Sequence, residues 1–283
     1  MLNLEGFGKG RIDPVYQGVD NGIPLLSSFH FRFEKAGSSD TVDNEINSIM
    51  ILPAGEAEDL SPNADLNAPV VEAGKVTLVY RDHDADDAKD RYFYHISHSI
   101  HPFESARRFQ IRDVGCKGKC EHPLPRIPGN IPGSSFDGEF VLIGFQLFFT
   151  GGRDHDIDKI AVFEKEGILT VEFNDGEDDD VFGYVVDFAL VSRLGLNIQL
   201  GEENGTATAN ANVSLPQGQK VIRGFSFDFK PKDRHLREIG VLTSRENLEV
   251  LYADRSGKDS FQWQVRWAII KPEVIAPDST TNW

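Results

Sequence analysis

A chain of 283 residues, 40% hydrophobic and 26% charged, has the make-up of an ordinary folded protein and excludes a disordered one. Its formal net charge of −16 argues against nucleic acid and anionic membranes as partners, because both are held by Lys and Arg neutralising phosphate. Twenty Phe against two Met favour strands, on whose pleated surface aromatic side chains pack well.

The chain opens on "MLNLEGFGKGRIDPVYQG", which lacks a basic segment followed by an apolar one, so no secretory signal is expected. No apolar run approaches the roughly 18 residues of a membrane span. The expected localisation is synthesis in the cytoplasm, with the product either remaining there or entering a virion or released particle. Next, "SFHFRFEKAGSSDTVDNEINSIMI" (28–51) carries Phe29, Phe31 and Phe33 at alternate positions, then Ile46, Ile49 and Ile51. "PAGEAEDLSPNADLNAPVVEAG" (53–74) reads as a loop insertion. "KVTLVYRD" (75–82) and "DRYFYHI" (90–96) alternate again.

The same order returns twice. "GFQLFFTGGRDHDIDKIAV" (144–162) aligns Phe145 with Phe29, Ile160 with Ile49 and Val162 with Ile51. "GFSFDFKPKDRHLREIGVL" (224–242) aligns Phe225, Ile239 and Val241 in those columns. "ILTVEFND" and "NLEVLYAD" then match "KVTLVYRD", and "DVFGYVV" and "DSFQWQV" match "DRYFYHI". Period-two alternation puts every second side chain on one face, so each copy reads as four strands, the second entered through a turn or bulge.

The expected fold is therefore all-β: three tandem copies of a four-stranded antiparallel unit, completed by connector strands into β-sandwich modules. "FQIRDV" (109–114) and "ATANANVSL" (207–215) are the candidate extra strands. A closed pseudo-three-fold object, a β-trefoil or β-prism, is the alternative. The expected boundaries are module one at 1–98, module two at 99–191 with the Pro/Gly-rich connector 99–139, module three at 192–271 and an extended tail at 272–283.

Two constellations suggest chemistry. Cys116, Cys120 and His122 in "CKGKCEH" form C-x3-C-x-H, a donor set that suits Zn²⁺. A short-loop disulfide and two reduced thiols are the blander alternative readings of the cysteines. Asp82, Asp84 and Asp86 in "DHDADDAKD" resemble the opening of a Ca²⁺ loop, without the Gly at its sixth position or the acid at its twelfth. His155 and His235 share a column in which copy one has Asn44, so a structural role is expected for them. The column Tyr94, Tyr184 and Trp263, with Trp267, reads as core, or else as a platform for sugar stacking. Signatures such as G-x-S-x-G, H-E-x-x-H and the P-loop are missing.

Repetition without a singular catalytic constellation points to building or binding, not to an enzyme. The expected function is a non-enzymatic structural β-protein of a large assembly, of phage-tail, capsid-decoration or contractile-injection type. Its partners would be other proteins and further copies of itself, with no nucleic acid, no membrane and no firm cofactor. The stretch "FQWQVRWAII" (261–270) resembles the closing strand of H-type lectin domains. That resemblance spans ten residues and implies the alternative function, multivalent carbohydrate binding, without assigning a sugar-contacting residue.

Overall fold

A computed structural model describes residues 1–16, 22–33, 46–53, 58–59, 75–82, 91–125, 138–150, 157–175, 181–229, 236–254 and 260–272. These residues are nearly all in strands. In chain order the strands are β1 (Leu2–Lys9), β2 (Arg11–Ile12), β3 (Ile23–Phe33), β4 (Ile46–Pro53), β5 (Glu58–Asp59), β6 (Val76–Asp82) and β7 (Arg91–His101). A 3₁₀ turn, Phe103–Ser105, leads into β8 (Ala106–Lys117), β9 (Lys119–Pro123), β10 (Gly138–Phe149), β11 (Lys159–Lys165), β12 (Ile168–Asn174) and β13 (Val181–Ser192). The remainder are β14 (Leu196–Ala207), β15 (Ala211–Ser214), β16 (Lys220–Asp228), β17 (Leu236–Thr243), β18 (Asn247–Asp254) and β19 (Phe261–Pro272). No helix among the described residues is long and apolar enough to cross a membrane.

The all-β antiparallel architecture expected from the alternation is present. Three sheets form, in the orders β1-β7-β3-β17-β18-β15, β2-β6-β4-β10-β13-β8-β5 and β14-β19-β16-β11-β12-β9. All pairings are antiparallel except that of the short β5 with β8. The first and last strands of each sequence copy lie side by side, while its two middle strands belong to the next sheet. Thus β3 and β7 stand in the first sheet, and β4 and β6 of the same copy stand in the second. Strands β10 and β13 stand in the second and β11 and β12 in the third; β16 and β19 stand in the third and β17 and β18 in the first. Connector strands complete each sheet: β8, which contains "FQIRDV", pairs with β13, and β15 from "ATANANVSL" pairs with β18.

The seams between copies share one register. Phe29 lies opposite Val241 and Phe31 opposite Ile239. Phe145 lies opposite Ile51 and Leu147 opposite Ile49. Phe225 lies opposite Val162 and Phe227 opposite Ile160. Each of β3, β10 and β16 also carries a register shift just before its Phe, at Leu26/Ser28, Leu142/Gly144 and Ile222/Gly224. A bulge bends its strand and adds twist, and here it steers the three strands toward one point. The rings of Phe29, Phe145 and Phe225 meet there, with centroids 5.4, 5.0 and 5.0 Å apart. All three are buried in one apolar interior that draws on every copy.

Close approach at the seams also selects residue type. A Cβ on Gly144 would sit 2.0 Å from the Ile51 carbonyl oxygen, and one on Gly224 2.6 Å from the Phe163 Cβ. The matching residue of copy one is Ser28, whose Oγ accepts the Thr243 N–H at 2.8 Å. The expected irregular entry to the second strand is seen in copies one and three, at Ile46/Ser48 and Leu236/Glu238, whereas β11 of copy two pairs with both neighbours without a register shift.

Truncation of a buried Phe leaves a cavity that a closely packed interior fills poorly. Phe145→Ala should therefore cost about 3–5 kcal/mol in urea unfolding, whereas Phe7→Ala, at a residue 52% exposed, should cost roughly 0.5 kcal/mol or less. Equal losses would show that the ring cluster does not anchor the interior.

Candidate functional site

The two cysteines lie on either side of the β8–β9 turn, where Gly118 takes a φ of 59° that favours glycine. They are joined as a disulfide. Zinc would need their thiolates, so the reading of Cys116, Cys120 and His122 as a zinc set is corrected. His122 instead shares a hydrogen bond with the Tyr184 hydroxyl, and their rings meet edge to face at 5.7 Å. Among the described residues no group of three His, Cys, Asp or Glu side chains gathers as a metal ion would require. In the proposed calcium loop, Asp82 closes β6, while its side chain and the whole of Asp84 and Asp86 lie outside the described residues, as do His155 and His235. Tyr94, Tyr184, Trp263 and Trp267 are buried core residues. The Trp263 and Trp267 indole N–H groups have no acceptor among the described residues.

The structure brings together polar residues that the sequence alignment left apart. Repeat positions Ser97, Asp187 and Arg266 lie opposite Ser28, Gly144 and Gly224 on the faces turned away from the Phe cluster. Asp187 is fully buried. Arg108 of β8 donates from Nε to its Oδ1 at 2.9 Å and from Nη2 to the Pro53 carbonyl at 3.0 Å. Burial pushes the Asp187 carboxyl up, against the opposing pull of Arg108. This pair braces three strands of the second sheet, β4, β8 and β13.

His98 of β7 is also fully buried. Its Nε2 donates to the Ile143 carbonyl at 2.9 Å, so its Nδ1 is the acceptor and the Tyr16 hydroxyl donates to it. The ring is thereby held neutral in one tautomer, and it links the first sheet to the second. Burial lowers its pKa to about 4, with the Ile143 carbonyl opposing and Arg108 assisting.

A third cluster lines a pocket of about 350 Å³ between β11, β14, β16 and β19, bordered by Glu164, Lys165, Glu202, Arg223 and Arg266. Arg223 sits at the β16 bulge. It donates to Glu139 Oε2 at 3.0 Å and from Nε to the Phe140 carbonyl at 3.2 Å, and it approaches Glu164 at 3.6 Å. Burial draws its pKa down against the pull of Glu139 and Glu164. Arg266 donates to Glu202 at 2.8 Å and lies over the Phe163 ring at 5.1 Å. Arg223 thus ties β16 of the third sheet to β10 of the second.

These charges are paired with one another and with backbone carbonyls, an arrangement that holds strands in place. Sequence reading missed them because each partner lies far away in the chain: Arg108 and Asp187 are separated by 79 residues and Arg223 and Glu139 by 84. The column Ser97/Asp187/Arg266 is polar in all three copies but differs in residue type from copy to copy. No protein-family model and no curated protein matches the chain.

Because His98 is neutral when folded and titrates at its ordinary 6.5 when unfolded, the unfolded chain binds the extra proton between those values. Its contribution to stability is complete above pH 6.5 and is lost as pH falls toward 4. The loss is about 3 kcal/mol for a shift of this size. Unfolding free energies measured across pH 7 to 4 should fall less steeply for His98→Gln than for the parent chain. Parallel curves would contradict the buried neutral imidazole.

Proposed function

We propose that this chain is a non-enzymatic structural protein that builds into a larger protein assembly, of phage-tail, capsid-decoration or contractile-injection type. What supports the reading is the use of its buried polar groups. Arg108–Asp187 braces one sheet, while Tyr16–His98 and Arg223–Glu139 lock sheet to sheet. A body with paired internal charges, whose bordering strands pair on one side only among the described residues, suits a building block. The partners under this reading are further copies of the chain and other proteins of the particle. The Cys116–Cys120 disulfide fits a particle exposed outside the reducing cytosol.

A second reading, carbohydrate binding, draws on the outer face of the first sheet. There the exposed Phe7 ring packs edge to face on Phe93 at 5.6 Å, Arg91 lies 5.0 Å over Phe7, and Arg32 lies 5.4 Å over Phe93. An exposed aromatic ring beside fixed hydrogen-bond donors is a surface on which a sugar can stack.

Mass photometry and negative-stain microscopy of the purified chain discriminate between the two. The building reading expects defined oligomers, or incorporation into a particle when co-produced with its neighbours in the genome. A chain that stays monomeric and enters no particle, yet binds a glycan array through Phe7, would replace it with the second reading.

A further inference from the structure

Strand β14 forms one border of the third sheet. All of its residues, from Leu196 to Ala207, pair with β19 without a register shift. Among the described residues no strand pairs with its other edge. It is also the longest bordering strand: β1 has 8 residues, β9 has 5, β15 has 4, and β2 and β5 have 2 each, against 12 in β14. Natural sheets blunt such edges with Pro, Lys or bulges, and β14 contains none of these. Its charged residues are Glu202 and Glu203. Glu202 is already engaged by Arg266 at 2.8 Å and by Gln264 at 2.7 Å.

We propose that two copies of the chain join edge to edge through β14, antiparallel about a two-fold axis at Gly201, so that their third sheets become one continuous sheet. This names the partner within the assembly reading and rests on it. Two-fold pairing requires each residue to meet one on the same face. Centred on Gly201, it sets Leu200 against the partner's Glu202, Ile198 against the partner's Asn204 and Gln199 against the partner's Glu203.

No two carboxylates face each other in this register. Leu200, 39% exposed in the single chain, is covered by the methylenes of the partner's Glu202, whose carboxylate keeps its arginine. The Gln199 amide can donate to the partner's Glu203. Centring on Glu202 or Glu203 instead would oppose like charges, and centring on Leu200 would set Glu202 against the partner's Ile198. Glycine suits the central position because the Trp267 ring lies over it; a Cβ there would be 2.1 Å from Cζ2.

The test compares the parent chain with Leu200→Asp and Leu200→Lys by native mass spectrometry and mass photometry over a concentration series, with circular dichroism to check folding. The pairing predicts a dimer for the parent chain. Leu200→Asp, which opposes a carboxylate to the partner's Glu202, should weaken it by about tenfold or more, a change of roughly 1.4 kcal/mol. Leu200→Lys should hold or tighten it. If the parent chain oligomerises and neither variant changes that, or both weaken it alike, the β14 pairing falls while the assembly reading stands. If the parent chain is monomeric alone but enters a particle, the pairing again falls by itself. If it is monomeric and enters no particle, both fall.

Discussion

Three phenylalanine rings can touch in one place only if the three strands bearing them converge. Phe29, Phe145 and Phe225 do so within 5.4 Å of one another, and much of the architecture follows. Convergence needs a bend in each strand, which the register shifts before each Phe supply. It needs backbones that approach closely, which explains Gly144 and Gly224. It also leaves the middle strands of each copy nearer to the next copy's first strand than to their own, so every sheet is shared. Burying each ring contributes roughly 1.5–3 kcal/mol, and the contacts between rings add about 0.5–1.5 kcal/mol each.

The inward-facing columns are apolar in every copy, and the polar braces stand at positions where the copies differ. Position Ser97/Asp187/Arg266 is a case in point. A buried carboxylate in one copy demands Arg108, a guanidinium in another lies on Phe163 and pairs with Glu202, and a hydroxyl in the third bonds Asn3 at 2.7 Å. Removing one partner of such a buried pair strands the other charge, at about 3–5 kcal/mol. The braces therefore make the arrangement specific, since each fits only one copy's surroundings.

The inward columns were legible because period-two alternation reports which face a residue takes, and Phe29, Ile49 and Tyr80 are all buried as that pattern requires. The partner across each seam was not legible, because alternation says nothing about which strand lies alongside; that is why tandem modules and a closed arrangement both stayed open. Cys116 and Cys120 show the same limit. Their spacing permits a thiol pair, a metal or a disulfide, and the structure joins them as a disulfide across the turn at Gly118. β14 was hidden for a different reason. Its polar, Gly-containing run resembles a connector, and its pairing with β19 is set by Trp263 and Trp267 lying over Gly205 and Gly201.

In this arrangement the three sequence copies share one interior around the phenylalanine cluster. Differential scanning calorimetry of the intact chain tests this most directly. A shared interior predicts a single transition whose calorimetric and van't Hoff enthalpies agree. Two or three resolved transitions, or a van't Hoff enthalpy near a third of the calorimetric one, would mean that the copies unfold independently and would contradict it.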